Sequence, residues 1–300
     1  VLTTKWSIRH VVYVIALAAA AGAIAYWFEP LVRIWKLHAG SLVFTVLCML
    51  GSIVVQAVNF TAFLGNVPVR PGLWTLSRVW ALSSLANYLG PLQPGIAVRV
   101  AYLARLGIGW RTSLLATWRQ LCVSVWVSLG GSALGLAAGF SGDHRLLVLA
   151  AVLGTAFIAA PFARGLILAA LARASRPAWL VSRREVLSEA LRGMPSRGVA
   201  GVLAQYAIGA VLLWVVYGAF GASITWGHAL VLACMVYVSS LVALLPGNLG
   251  LLDAIYVLGG HGLGLSVPEA AALAVLLRAG QIVACAILAL AGPIRSRAQA

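Results

Sequence analysis

Apolar residues run along this chain in long stretches with no polar face, separated by short polar or basic joints. Helices that are apolar all round are either deeply buried or cross a membrane, and runs of about 18 residues or more favour the membrane. Six stretches qualify: Val11 to Phe28, about Ser41 to Leu64, Ser113 to about Phe140, the run after Asp143-His144-Arg145 to about Leu171, Val199 to Phe220, and about Pro268 to Pro293. Pro161 loosens the fourth. In the second, Gln56 and Asn59 lie one helical turn apart, and two amides facing lipid are costly, so that face is expected to point inward.

Two further apolar regions are interrupted. The stretch Leu241 to Leu252 reads LVALLPGNLGLL and leads straight into Asp253, while the stretch from Ser83 reads SSLANYLGPLQPG. Both regions start Ser-Ser-Leu, at Ser83 and Ser239, and both break at Pro-x-x-x-Gly, Pro91 with Gly95 and Pro246 with Gly250. A charge follows each break, Arg99 and Asp253, with a tyrosine three residues on, Tyr102 and Tyr256. Further along, an arginine lies inside an apolar span, Arg119 in one half and Arg278 in the other. Irregular backbone survives in hydrocarbon only where protein or a wet cavity satisfies its N–H and C=O groups. Broken segments at matching positions in two halves point to a transporter's binding site; chance likeness between two apolar stretches is the competing explanation.

Charge then sets the topology. If Ala229 to Leu245 crossed fully, Arg295 and Arg297 would be left outside, whereas a turn at Pro246 returns them to the cytoplasm. The expectation is an all-α membrane protein of six transmembrane helices plus two re-entrant helical hairpins, arranged as an inverted-topology repeat. The hairpins fall in 67–111 and 227–264, repeat one covers about 11–140 and repeat two about 146–293. All of 1–300 is then one integral membrane domain with both termini cytoplasmic.

Composition agrees with the pattern: 62% of residues are hydrophobic and 9% charged, against roughly a quarter charged in soluble domains. Six spans leave little chain for a soluble catalytic domain. The net charge of +15 comes from basic residues in loops beside the spans, which suits cytoplasmic loops and anionic lipids better than nucleic acid. The loop of about 172–198 concentrates arginines, with Ser182 and Glu185 placed for a capping box and Leu180, Leu187 and Leu191 at helical spacing. It fits an amphipathic helix on the cytoplasmic membrane surface and fits a solvated basic loop as well. Ala23-Ile-Ala25 has the form of a signal-peptidase site, but the basic flank and length before it suit a first span. Cys48, Cys122, Cys234 and Cys285 lie in apolar segments without paired spacing, as buried hydrophobes rather than a disulfide or metal set.

Among candidate chemistry, Arg278 stands first. It sits about ten residues into the last span, close to mid-membrane, where an arginine needs a partner or an anionic ligand. Gln281 shares its face. Asp253 is expected to pair, with Arg278 or Arg99; ligating a cation or carrying a coupling proton are its alternatives. Arg119 is near enough to a cytoplasmic end to snorkel. Asn87 and Asn248, with Ser83, Ser84, Tyr88, Gln93, Ser239 and Ser240, supply neutral hydrogen-bonding groups along the breaks. Glu269 suits the positive end of the last helix. No Walker loop, zinc-protease motif or cluster of His, Cys and carboxylates occurs, and the Gly259–Gly264 run lacks a preceding strand, so neither cofactor nor metal is expected.

The PGNLGLLD and PGIAVR segments with their downstream arginines resemble the membrane region of lysylphosphatidylglycerol synthase, a flippase-like family of bacterial inner-membrane proteins. The resemblance spans roughly Val11 to Pro293. It implies a protein that moves or handles lipids, with Gly250, Asp253 and Arg278 matching one motif and Gly95, Arg99 and Arg119 the other. Leu252-Asp253 stands where the family more often has Arg-Glu, and Ile96 where it often has an acid. The soluble aminoacyl-transferase domain of bifunctional relatives is not seen, so lipid aminoacylation is not expected. The expected function is translocation of an anionic phospholipid or polyprenyl-phosphate lipid, its headgroup paired to Arg278 and to Arg99 or Arg119. Asp253 would hold the arginines while the site is empty. A membrane-embedded transferase, or a membrane subunit with a protein partner or a second copy, are the alternatives.

Overall fold

A computed structural model describes residues 38–65, 67, 69–88, 93–140, 142–173, 195–239, 248 and 250–291. Within them the chain forms α1 (Ala39–Leu64), α2 (Leu73–Asn87), α3 (Pro94–Arg105), α4 (Trp110–Gly139), α5 (His144–Arg173), α6 (Ser196–Ala219), α7 (Trp226–Ser239), α8 (Leu251–Gly262) and α9 (Val267–Leu290), and no strand is found among the described residues. The first predicted span, most of the 172–198 loop, and Pro91 and Pro246 lie outside them.

Length divides these helices into two kinds. Five are long and apolar enough to cross a bilayer: α1, α4, α5 over His144–Ala163, α6 and α9. The other four correspond to the limbs of the two interrupted regions. The longest of them, α2 with 15 residues, reaches about 22 Å, short of a hydrocarbon core of about 30 Å. The second limb of each region has a local reason to begin where it does. Pro94 opens α3, where a missing N–H costs nothing, and Gly250 precedes α8 with φ 88°, a conformation open to glycine. Glu269 reaches back to the Ser266 N–H at 2.9 Å and hydroxyl at 2.6 Å, tying down the start of α9.

Helix α1 packs against α6 along the centre, α4 against α7, and α2 against α9. These contacts are close because small residues line them, as expected where lipid gives no hydrophobic drive to association. On α4, Gly131, Gly135 and Gly139 form a seam against α7: a Cβ at Gly131 would lie 2.7 Å from Cys234 Sγ and one at Gly135 2.8 Å from the Gly227 carbonyl oxygen. Gly227 in turn presses on the backbone of Gly139. On α6, Gly201 makes room for Asn59, which is buried at 2% exposure. With its amide turned to suit both neighbours, Asn59 donates to the Gly198 carbonyl at 2.8 Å and accepts from the Val202 N–H at 3.2 Å. Of the two α1 amides expected to face inward, Asn59 thus joins helices and Gln56 lines the central cavity.

Elsewhere several buried hydroxyls find backbone or hydroxyl partners, although Ser77 Oγ has none among the described residues. Tyr206 Oη lies 2.5 Å from Ser128 Oγ and donates to the Ser124 carbonyl at 3.0 Å, and Tyr217 Oη donates to the Tyr256 carbonyl at 2.8 Å. Satisfying these groups internally matters most where no water can do it.

Candidate functional site

The two breaks are built alike. Gln93 lies two residues after Pro91 and Asn248 two after Pro246, and both take the left-handed conformation, with φ 55° and 56°. Non-glycine residues seldom adopt it. In each break a buried serine ties this backbone to the preceding limb. Ser83 Oγ donates to the Gly95 carbonyl at 2.7 Å, and Ser239 Oγ accepts from Asn248 Nδ2 at 2.9 Å.

The glycine N–H at the start of each second limb is also satisfied, by different chemistry. Gly95 N donates to Asn87 Oδ1 at 2.8 Å, a neutral amide from the limb before it. Gly250 N donates to Asp253 Oδ2 at 3.1 Å, a carboxylate from the helix after it. Packing at Gly95 is so close that an added Cβ would overlap the Ser83 carbonyl oxygen and approach Asn87 Oδ1.

Asp253 does a second job. Arg278 Nε donates to Asp253 Oδ1 at 2.9 Å and Nη2 to Oδ2 at 3.2 Å, a two-pronged pair whose geometry suits guanidinium and carboxylate. Arg278 Nη2 also reaches the Asn248 carbonyl at 3.1 Å, and Nη1 lies 3.4 Å from Tyr88 Oη. Tyr88 Oη donates to Gln281 Oε1 at 2.9 Å. The Arg278 side chain is 11% exposed and that of Asp253 31%; Arg278 lines a cavity and Asp253 does not. Residues from both breaks and the last helix therefore meet in one hydrogen-bonded cluster.

Arg99 meets a different environment. Only 6% exposed, it stacks its guanidinium on Trp80, with Cζ 3.6 Å from the ring centroid, and lies 5.7 Å from the Phe60 ring centroid. Its Nε and Nη1 are buried with no hydrogen-bond partner among the described residues. Aromatic faces stabilise a cation but leave its in-plane donors unsatisfied.

Both arginines face a central cavity of about 530 Å³, a size usual for small-molecule sites. Its wall draws on α1, α2, α3, α4, α6, α7, α8 and α9 and carries Asn87, Gln93, Asn248 and Gln281. Arg99 and Arg278 are the charged lining residues, and no carboxylate lines the cavity among the described residues. Arg119 stands half-buried on α4 and does not line it; its neighbour Gln120 does. The structure thus gathers Arg278, Asp253, Gln281, Asn87, Asn248 and Arg99 around one space and leaves Arg119 at its margin. Sequence reasoning missed Trp80, because its pairing with Arg99 joins different helices at no fixed spacing. The matched places of Gln93 and Asn248 after their prolines were the available signal for the two left-handed positions.

Apolar spans, short broken limbs and a polar cavity between them define an integral membrane protein with a buried, cationic site. The lysylphosphatidylglycerol synthase TM region family matches residues 11–289, and the chain belongs to it. Neither a curated protein nor a solved structure matched the chain.

Proposed function

We propose that this protein is a lipid translocator that carries an anionic phospholipid or a polyprenyl-phosphate-linked lipid through its cationic cavity. The observation that carries this is a cavity of about 530 Å³ lined, among the described residues, by two arginines and no acid, and set between two broken apolar segments. A buried positive site of this size suits a phosphate-bearing headgroup, while its hydrocarbon remains in the bilayer. Membership of a family named for a lipid-modifying enzyme's membrane region supports a lipid-related role.

The transport architecture we propose is six spans and two re-entrant hairpins in inverted repeat, within a bacterial inner membrane and with both termini cytoplasmic. The packing of α2 on α9 and of α7 on α4 supports it, because each first limb then leans on the last span of the other half. The matched left-handed residues support it too. Transport is favoured over transfer chemistry by the engagement of Asp253: both its oxygens accept hydrogen bonds, so it is poorly placed as a general base.

The test is translocation of headgroup-labelled phosphatidylglycerol and of labelled polyprenyl phosphate in proteoliposomes. The expected result is movement of one of them well above empty vesicles, lost in Arg99→Met. Movement of neither lipid, from protein shown to be folded, would sink the proposal.

A further inference from the structure

A second groove adjoins the central cavity. It has a volume of about 520 Å³ and runs along the outer face of α3, with Ala97, Val100, Ala101 and Ala104 as its floor. Gln93, Ile96 and Leu114 line both the groove and the cavity, so the two meet at the first turn of α3. Ala97, Ala101 and Ala104 are exposed and fall on one helical face. From Ile96 to Ala104 this trough is about 12 Å long.

The chemistry on the other side of the rim says what occupies the trough. Arg99 is a buried cation on the inner side of the same helix, flat against Trp80, and its Nε and Nη1 lack partners among the described residues. A guanidinium held by its face keeps its N–H groups in a fixed plane, and unpaired in-plane donors of this kind are what arginine offers to a phosphate. Arg278 is already engaged by Asp253, Asn248 and Tyr88. Of the two arginines that line the cavity, Arg99 is therefore the one with donors to spare, and it lies beside an apolar trough open to lipid.

Resting on the translocator reading, we propose that α3 is the lipid-binding element: the substrate's phosphate sits on the Arg99 edge, and one of its hydrocarbon chains crosses the Gln93–Ile96–Leu114 rim into the Ala97–Ala101–Ala104 trough. The ligand class is a phosphate-bearing lipid. On this assignment Arg278 positions the second break through Asp253 and does not bind the headgroup.

The test uses the full chain in phosphatidylcholine nanodiscs doped with phosphatidylglycerol that carries a diazirine on one acyl chain. The expected result is photolabelling within residues 94–105, reduced at least tenfold in Arg99→Met. Ala101→Trp fills the trough from an exposed position and is expected to reduce it equally, with no change in thermal stability. Labelling that Arg99→Met or Ala101→Trp leaves unchanged overturns the assignment. So does labelling spread over α5 in the manner of a diazirine phosphatidylcholine, which marks annular lipid only. Millimolar inorganic phosphate is expected to leave the label in place; if it displaces the label as well as phosphatidylglycerol does, Arg99 serves free phosphate and the trough has no part. Translocation measured in parallel separates the two proposals. Transport without labelling at α3 overturns this one alone, and labelling without transport overturns the translocator alone.

Discussion

The two breaks share a backbone and differ in charge. Each has a left-handed amide residue two places after its proline, a buried serine tied to the preceding limb, and a glycine N–H that needs an acceptor. At the first break the acceptor is Asn87, and the nearby cation, Arg99, is left on an indole face with unsatisfied donors. At the second it is Asp253, whose other hydrogen bonds neutralise Arg278. The second break thus supplies the carboxylate that its arginine needs, while among the described residues the first offers Arg99 only aromatic faces.

Substitutions can break or sharpen this contrast. The largest effect is expected from Asp253→Asn. Removing one partner of a buried pair costs about 3–5 kcal/mol, and the low end applies because the Asp253 side chain is 31% exposed. Thermal unfolding in detergent should show the loss, and adding Arg278→Met should recover part of it. If the double variant is no better than the single, the pair is not the support described.

Gly95→Ala comes next. Its Cβ meets backbone at the Ser83 carbonyl, which cannot swing away as a side chain can, so a loss of about 1–3 kcal/mol is expected, as for overpacking generally. Gly40→Ala, at the second residue of α1 as Gly95 is of α3 and with nothing within 4 Å of the new Cβ, is the matched control and should not destabilise. Equal melting temperatures for the two variants would show that the first break is not closely packed.

Arg99→Met should act in the opposite direction. Replacing an uncompensated buried charge by an apolar side chain of similar length is expected to raise stability by about 1–2 kcal/mol when no anionic lipid is present. Adding phosphatidylglycerol should stabilise the parent protein and leave Arg99→Met unmoved, which melting curves in the two lipid backgrounds would read. A destabilised Arg99→Met would mean the cation is already satisfied.

The smallest effect tests the left-handed turn of the second break. Asn248→Gly relieves a conformation that costs other residues about 1–2 kcal/mol but loses chain entropy of roughly 0.5–1 kcal/mol and forfeits the hydrogen bond from Asn248 Nδ2 to Ser239 Oγ, so it should not stabilise. A melting temperature clearly above the parent's would show that this bond does not hold the turn.

Much of this was legible in the sequence. The long helices follow from uninterrupted apolar runs, and the four short limbs from the Ser-Ser-Leu and Pro-x-x-x-Gly repeats. That Asp253 would pair was also legible, since an acid beside apolar spans needs a cation. Which arginine it would take was not, because Arg99 and Arg278 both lay downstream of a break with nothing local to rank them. Nor was Gln120 legible as the lining residue in place of Arg119, for which the rotation of α4 had to be known.

The sequence by itself determined that the protein lives in a membrane, where its apolar runs are interrupted, and which few charges must find company there. Those are properties of composition and of neighbours along the chain, and transfer energies act on them residue by residue. Only the tertiary structure decided that Arg278 is neutralised while Arg99 is stacked on Trp80 with donors unused. That outcome depends on how helices from distant parts of the chain pack, and electrostatic satisfaction is set by distances of about 3 Å that no sequence spacing encodes.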